Sequence, residues 1–453
     1  MQAQSFKQRV ISSSIWTFGG SVLTQIIRFV SNLIMTRLLA PEMFGLMAVA
    51  HVIIFGLNLL SDIGLRQIII QNKRSDEAFV NTIWTLQVMR GWLIWMLSVV
   101  VALIFVLLSH LQFWPEGSVY SEPIFPWIVA VIGFTSVIGG YESTKMAHST
   151  RGLSLKISVS IGLVTQIIGI IVMLIWAYFY PSVWALVVGA MVSTCLSVLS
   201  SFCLIKGSNN YFHWDKEVIK EVLHFGKWIF VSSILGFLVS SSDKLILGGL
   251  VDAKLVGYYA IAGLLVGAIG QLITSVIHSV GFPALSETYR DNPQKLKSVF
   301  YKLRLPFDLF LIFSCGFIYS AAHAIVAIIY DSRYESVAWI LQIMAVGLFE
   351  LRYRMAGECF MAMGKPKLQT SLIFVDLVFL YSTSILAYKF FGFTGIIWAV
   401  TCSALSTIPL NLYYLRKFGL LDWRRELIVL PMIVVGYLAG LILSFLVKTF
   451  ILR

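Results

Sequence analysis

Arg37-Leu38-Leu39-Ala40-Pro41-Glu42-Met43-Phe44-Gly45 and Gly249-Leu250-Val251-Asp252-Ala253-Lys254-Leu255-Val256-Gly257 each join two long apolar runs, and reading one against the other decides the fold. The run before the first junction opens at Ser14-Ile15-Trp16, and the run before the second at Gly226-Lys227-Trp228. Trp16 to Gly45 is 29 residues, and Trp228 to Gly257 is also 29. A second pair of landmarks keeps the relation, since Gly133 and Arg151 are 18 apart, as are Gly347 and Lys365. The two offsets between copies, 212 and 214, agree within two residues, so the chain carries an internal repeat.

The medium around that repeat follows from composition. Of 453 residues, 58% are hydrophobic and only 12% are charged. A soluble surface uses about 25% charged residues, so most of this surface faces something other than water. No polar run exceeds about twenty residues, which excludes an appended soluble catalytic domain. Cys195, Cys203, Cys315, Cys359 and Cys402 sit in apolar runs without CxxC spacing and read as small core residues. No HExxH or GxxxxGK[ST] motif occurs, so neither a metal site, a catalytic centre nor an ATP motor is expected. The net charge of +12 has no basic soluble segment through which to bind nucleic acid.

A span needs ~20 mostly apolar residues bounded by polar, Gly or Pro punctuation. That rule marks helices at 12–38, 43–69, 80–108, 124–148, 156–179, 182–204, 223–250, 256–283, 299–329, 336–362, 368–389, 393–415 and 427–449. The first, lacking a small-residue cleavage site, reads as a span and not a removed signal peptide. The expected fold is an all-α polytopic membrane protein of about 13 transmembrane helices, with 12 to 14 compatible with the punctuation. Its parts are an N-terminal lobe (1–205), a cytoplasmic linker (206–222), a C-terminal lobe (223–418) and an extra helix (419–453). Six is even, so both lobes enter from the same side and form a parallel repeat. With a cytoplasmic N-terminus, 21 basic residues fall on the cytoplasmic side, against Lys254, Arg333, Lys389, Lys448 and Arg453 opposite. That is the bias that orients membrane proteins.

Eight basic residues remain inside spans: Arg28, Arg37, Arg66, Arg90, Lys145, Lys244, Arg352 and Arg354. The embedded acids are Asp62, Glu142, Asp243, Asp308, Glu350, Glu358 and Asp376. Ionisable groups are costly in hydrocarbon, so these either line a cavity or pair with one another. Arg28 and Arg90 lie deep and suit an anionic substrate, or an ion pair with Asp62 or Glu142. Asp308 has Arg304 four residues before it and can pair with it along one helix face. Glu350 and Arg354 share that spacing within the tenth helix. Asp243 and Lys244 are about 100° apart on a helix, so one of them should look away or pair elsewhere. Asp376 is a candidate ion-coupling site, with H+ or Na+ as the ion.

The N-terminal pattern Trp16, Arg28, Arg37 to Gly45, Asp62-Ile63-Gly64-Leu65 and Trp84 to Gly91, with Asp243 to Gly248, resembles the polysaccharide-transporter (Wzx-like) family of lipid-linked oligosaccharide flippases. That family belongs to the superfamily of MATE exporters and the lipid II flippase. The resemblance implies a V-shaped two-lobe bundle with alternating access through a cationic cavity. It also implies a substrate, an oligosaccharide repeat unit on undecaprenyl diphosphate crossing the bacterial inner membrane for surface polysaccharide synthesis. Arginine suits that diphosphate because its planar fork matches phosphate oxygens. Polymerase and chain-length proteins of the same glycan pathway are candidate partners. The alternatives are a MATE-like cation-coupled drug exporter, a membrane-embedded glycan polymerase or acyltransferase, and a non-transporting scaffold.

Overall fold

The computed structural model describes residues 6–65, 68–69, 76–147, 155–205 and 207–450. Among them every regular element is helical, apart from one isolated antiparallel bridge between Ser118 and Asp252. The chain forms two compact units, Met1–Gly257 and Tyr258–Arg453. In the first are α1 (Phe6–Leu38), α2 (Pro41–Leu60), α3 (Glu77–His110), α4 (Phe125–Gly140), α5 (Leu155–Phe179), α6 (Trp184–Cys203) and α7 (Lys216–Leu250). Next, α8 (Ala253–Val276) passes through a π-helical turn at Ile277–Gly281 into α9 (Phe282–Asp291). The second unit continues with α10 (Leu296–Ile329), α11 (Val337–Val346), α12 (Leu348–Leu351), α13 (Arg354–Ala362), α14 (Pro366–Ser406), α15 (Ile408–Lys417), α16 (Trp423–Ile428) and α17 (Met432–Phe450). Nine helices among the described residues are long and apolar enough to cross a membrane, and the chain is a multi-pass membrane protein.

Each of the thirteen predicted segments falls on helix, but the boundaries differ where polar and glycine residues compete with the helical ladder. The second ends at Leu60, where the Ser61 hydroxyl turns back onto Leu57 O at 2.8 Å, so Asp62 lies in a turn and not inside a span. The fourth ends at Gly139-Gly140, a pair of weak helix formers, leaving Glu142 and Lys145 beyond it. Within the 41-residue α14 the eleventh and twelfth segments are separated by Gly392, whose φ of +60° suits a residue without a Cβ. The tenth is broken into α11, α12 and α13.

Start signals are conventional. Pro41 opens α2, where its missing N–H costs nothing. Asp76 and Asp215 accept from the first-turn amides of α3 and α7.

The repeat landmarks are brought into contact within the first unit. A Cβ on Gly45 would sit 1.9 Å from Ala253 O, and a Cβ on Gly257 would sit 1.9 Å from Pro41 O. Pro41 and Ala253 are themselves 212 residues apart, as are the two glycines. The contact is therefore reciprocal, as at a two-fold axis, and only glycine lets the two backbones come so close.

Candidate functional site

A helix end leaves its last carbonyls without intrahelical donors, and Arg90 of α3 supplies donors to the end of α2. Its Nη2 donates to Asn58 O at 2.7 Å and its Nε to Ser61 Oγ at 3.1 Å. A cation also complements the negative end of the helix dipole there. Asp62 accepts from Gly64 N at 3.0 Å and acts on Arg90 only at longer electrostatic range. Among the described residues Arg90 makes no ion pair within 4.0 Å, so its charge is held by neutral oxygens.

Arg90 lines a cavity of about 340 Å³. Asn58 of α2, Gln87 of α3, Thr135 and Ser136 of α4, Glu142 beyond α4 and Thr194 of α6 supply its polar wall, with Leu65 and Ile94 among the apolar contributors. Gln87 Nε2 donates to Gly140 O at 3.0 Å and Glu142 O at 2.9 Å, which fixes the turn carrying Glu142. Ser197 Oγ donates to Glu142 Oε1 at 3.2 Å. Asn58 Nδ2 donates to Ser136 Oγ at 3.3 Å, tying α2 to α4 across the cavity.

The remaining candidates of this unit lie elsewhere. Arg28 is exposed on α1, makes no side-chain hydrogen bond or ion pair among the described residues, and acts electrostatically on His51 of α2. Arg37 is exposed in the last turn of α1. Arg66 lies outside the described residues. Lys244 Nζ reaches Asp243 Oδ2 at 3.8 Å, so the adjacent pair meets despite the expected angular separation. The four-carbon lysine stem is long enough to bend back around the helix. Lys145 is buried, donating to Asn209 Oδ1 at 2.9 Å and Phe202 O at 3.2 Å, and so clasps the 207–215 connection.

The second unit treats its arginines differently. Arg304 of α10 pairs with Asp308 at 3.1 Å, as their spacing predicts. It also grips Glu426 of α16 through both terminal nitrogens, at 2.6 and 3.1 Å. Arg352 donates to Asp308 Oδ2 at 3.3 Å and to Glu426 Oε2 at 2.8 Å. Tyr301 and Tyr353 hydroxyls also reach the Glu426 carboxylate. Two arginines and two carboxylates thus neutralise one another in a site where Arg304 is 0% exposed and Arg352 2%. Arg352 occupies the turn between α12 and α13, so the helix expected to align Glu350 with Arg354 is interrupted. Glu350 still acts electrostatically with Arg354 and Asp376, and Arg354 is exposed. Asp376 interacts with the Ser403 hydroxyl. Glu358 meets His278 Nδ1 at 3.2 Å beside the π-helical turn.

A family model described as polysaccharide biosynthesis protein matches residues 34–339. The chain belongs to that family. Lipopolysaccharide biosynthesis protein WzxC of Escherichia coli (strain K12) is 23% identical to it, over 97% of this chain and 89% of that protein. Lipid II flippase MurJ, in an inward closed conformation, superposes with a TM-score of 0.65 at 14% identity, covering 98% of this chain and 100% of that one. An inward-facing multidrug resistance MATE family transporter of the MOP superfamily gives 0.63 at 14% identity, covering 90% and 94%. This polysaccharide biosynthesis protein has the fold those two share.

Two groups of residues escape a sequence reading of the family member. Glu426 stands in a polar stretch that reads as loop, and the fold carries it into the interior. Asn58, Gln87, Thr135, Ser136 and Thr194 are uncharged, so a search for embedded charge passes over them. Uncharged polar residues recurring within apolar spans are the signal that could have found them.

Proposed function

We propose that this chain is a flippase that moves undecaprenyl-diphosphate-linked oligosaccharide repeat units across the bacterial inner membrane for surface polysaccharide synthesis. The observation that carries this reading is Arg90, a guanidinium on a membrane helix held by neutral oxygens and open to a polar cavity. A diphosphate cannot cross hydrocarbon unaided, and such a cation keeps the charge needed to compensate it. Arg28, exposed and without an ion pair among the described residues, is the second cation of the path. A carrier for cationic drugs would instead be served by an acidic wall without such a guanidinium. The WzxC name and the MurJ fold support the flippase reading.

In this proposal the N-terminus is cytoplasmic, in line with the bias of basic residues. Movement follows alternating access, no cofactor takes part, and Asp376 with Glu350 is the site at which an H+ or Na+ gradient is coupled. Polymerase and chain-length proteins of the same glycan pathway receive the product. The test is deletion of the gene with radiolabelled lipid-linked intermediates. Accumulation in the cytoplasmic leaflet is expected, and an unchanged leaflet distribution would sink the proposal.

A further inference from the structure

We infer that the cavity behind Arg90 is a saccharide subsite that seats one sugar ring of the transported lipid. The inference rests on the flippase reading and adds to it where the sugar is recognised and by which groups.

The argument is one of donor and acceptor bookkeeping. A phosphate accepts only, so a phosphate site is lined by donors. This wall is mixed. Arg90 uses Nε and Nη2 on Ser61 and Asn58 and retains Nη1 protons. Gln87 uses its amide protons on Gly140 O and Glu142 O, which leaves its carbonyl oxygen as an acceptor. Ser136 Oγ accepts from Asn58 and retains its own proton to donate. Thr135 donates its hydroxyl to Ile132 O at 2.6 Å, and its oxygen lone pairs remain for a ligand. Glu142 also lines the cavity, and its acceptor-only carboxylate already takes the Ser197 hydroxyl at 3.2 Å, as it would a sugar hydroxyl. A carboxylate repels a diphosphate placed beside it but is a strong partner for hydroxyls, each of which donates and accepts.

Charge and size agree. With the acidic residue Glu142 on the wall that carries Arg90, the lining is less purely cationic than a phosphate site, which suits a polyhydroxyl group. At about 340 Å³ the cavity is at the small end of the ~300–1,000 Å³ range of small-molecule sites. It has room for one ring and not a whole repeat unit. Because Arg90 is part of the same wall, a ring seated there keeps its diphosphate near a cation. The anchoring bonds between Asn58, Ser136, Gln87 and the 140–142 turn hold the wall in place before a ligand arrives, which lowers the entropy cost of binding.

The experiment compares two probes on the purified full-length chain in lipid nanodiscs: bare undecaprenyl diphosphate, and the glycosylated lipid extracted from the cells that make this protein. Wild type is expected to bind the glycosylated lipid more tightly. That preference should fall roughly ten-fold in Ser136→Ala and roughly ten- to hundred-fold in Glu142→Gln, as expected for losing one neutral and one charge-assisted hydrogen bond. Size-exclusion profiles report folding, and either variant alone suffices for the comparison. A wild type that does not distinguish the two lipids, or variants that keep its preference, would overturn the subsite while leaving the flippase intact. Binding of neither lipid by wild type, with no leaflet change on deletion, would remove the flippase reading and this inference together.

Discussion

Arg90 in the first unit and Arg352 in the second are both arginines within apolar segments, and their surroundings give them opposite characters. Arg352 is locked with Arg304 between Asp308 and Glu426, with the rings of Phe349 and Tyr353 against Arg352 and those of Phe300, Tyr301 and Tyr353 against Arg304. Arg90 is oriented by a carbonyl and a hydroxyl and lines open space. A closed network spends its charge on itself, because a buried ion survives only when fully compensated. A guanidinium held by dipoles keeps its charge for a ligand. Depth in the membrane therefore does not mark an arginine as functional; the identity of its partners does.

The largest expected effect comes from opening the closed network. Glu426→Ala strands two buried guanidinium groups with Asp308 alone and should cost ~3–5 kcal/mol. It would be read as a marked fall in the thermal unfolding midpoint of the protein in detergent, and an unchanged midpoint breaks the comparison. Next is Arg90→Ala, which should cut leaflet transfer by about a hundred-fold, or about 2.7 kcal/mol. Its effect on unfolding should stay within the ~0.3–1 kcal/mol of a helix-end cation. Arg90→Lys should restore part of the transfer, since the charge returns without the fork. A transfer assay run beside a melting curve separates the two arginines, and equal stability losses at Arg90 and Glu426 would erase the contrast.

A smaller effect is expected at the reciprocal contact. Gly45→Ala and Gly257→Ala should each cost about 1–3 kcal/mol, because a new Cβ meets a backbone carbonyl. The double variant should cost less than the sum, since one backbone shift relieves both clashes. Additive unfolding losses would show that the contacts are independent. The smallest effect belongs to Arg354, exposed and outside the network, where Arg354→Ala should change stability by under ~0.5 kcal/mol. A large loss on melting would place it with Arg352 instead.

Asp62 and Glu142 show how far the chain order carries. Both read as span residues because apolar sequence surrounds them, yet a serine back-bond and a Gly-Gly pair end the helices just before them. Those are local causes, legible in principle but weaker than the apolar pattern. The Arg304–Asp308 pair was legible because its partners lie one helical turn apart. Glu426 was not, being 122 residues from Arg304 and 74 from Arg352.

The sequence by itself determined the membrane class and the helical runs, and its spacing marked the two glycines that the fold brings together. Those properties rest on hydrophobicity and spacing, which are local and summed along the chain. Only the tertiary structure decided which charges cancel, which stay available and which neutral side chains gather around Arg90. Such pairings depend on a few ångströms between residues far apart in the chain, and no local pattern encodes that distance.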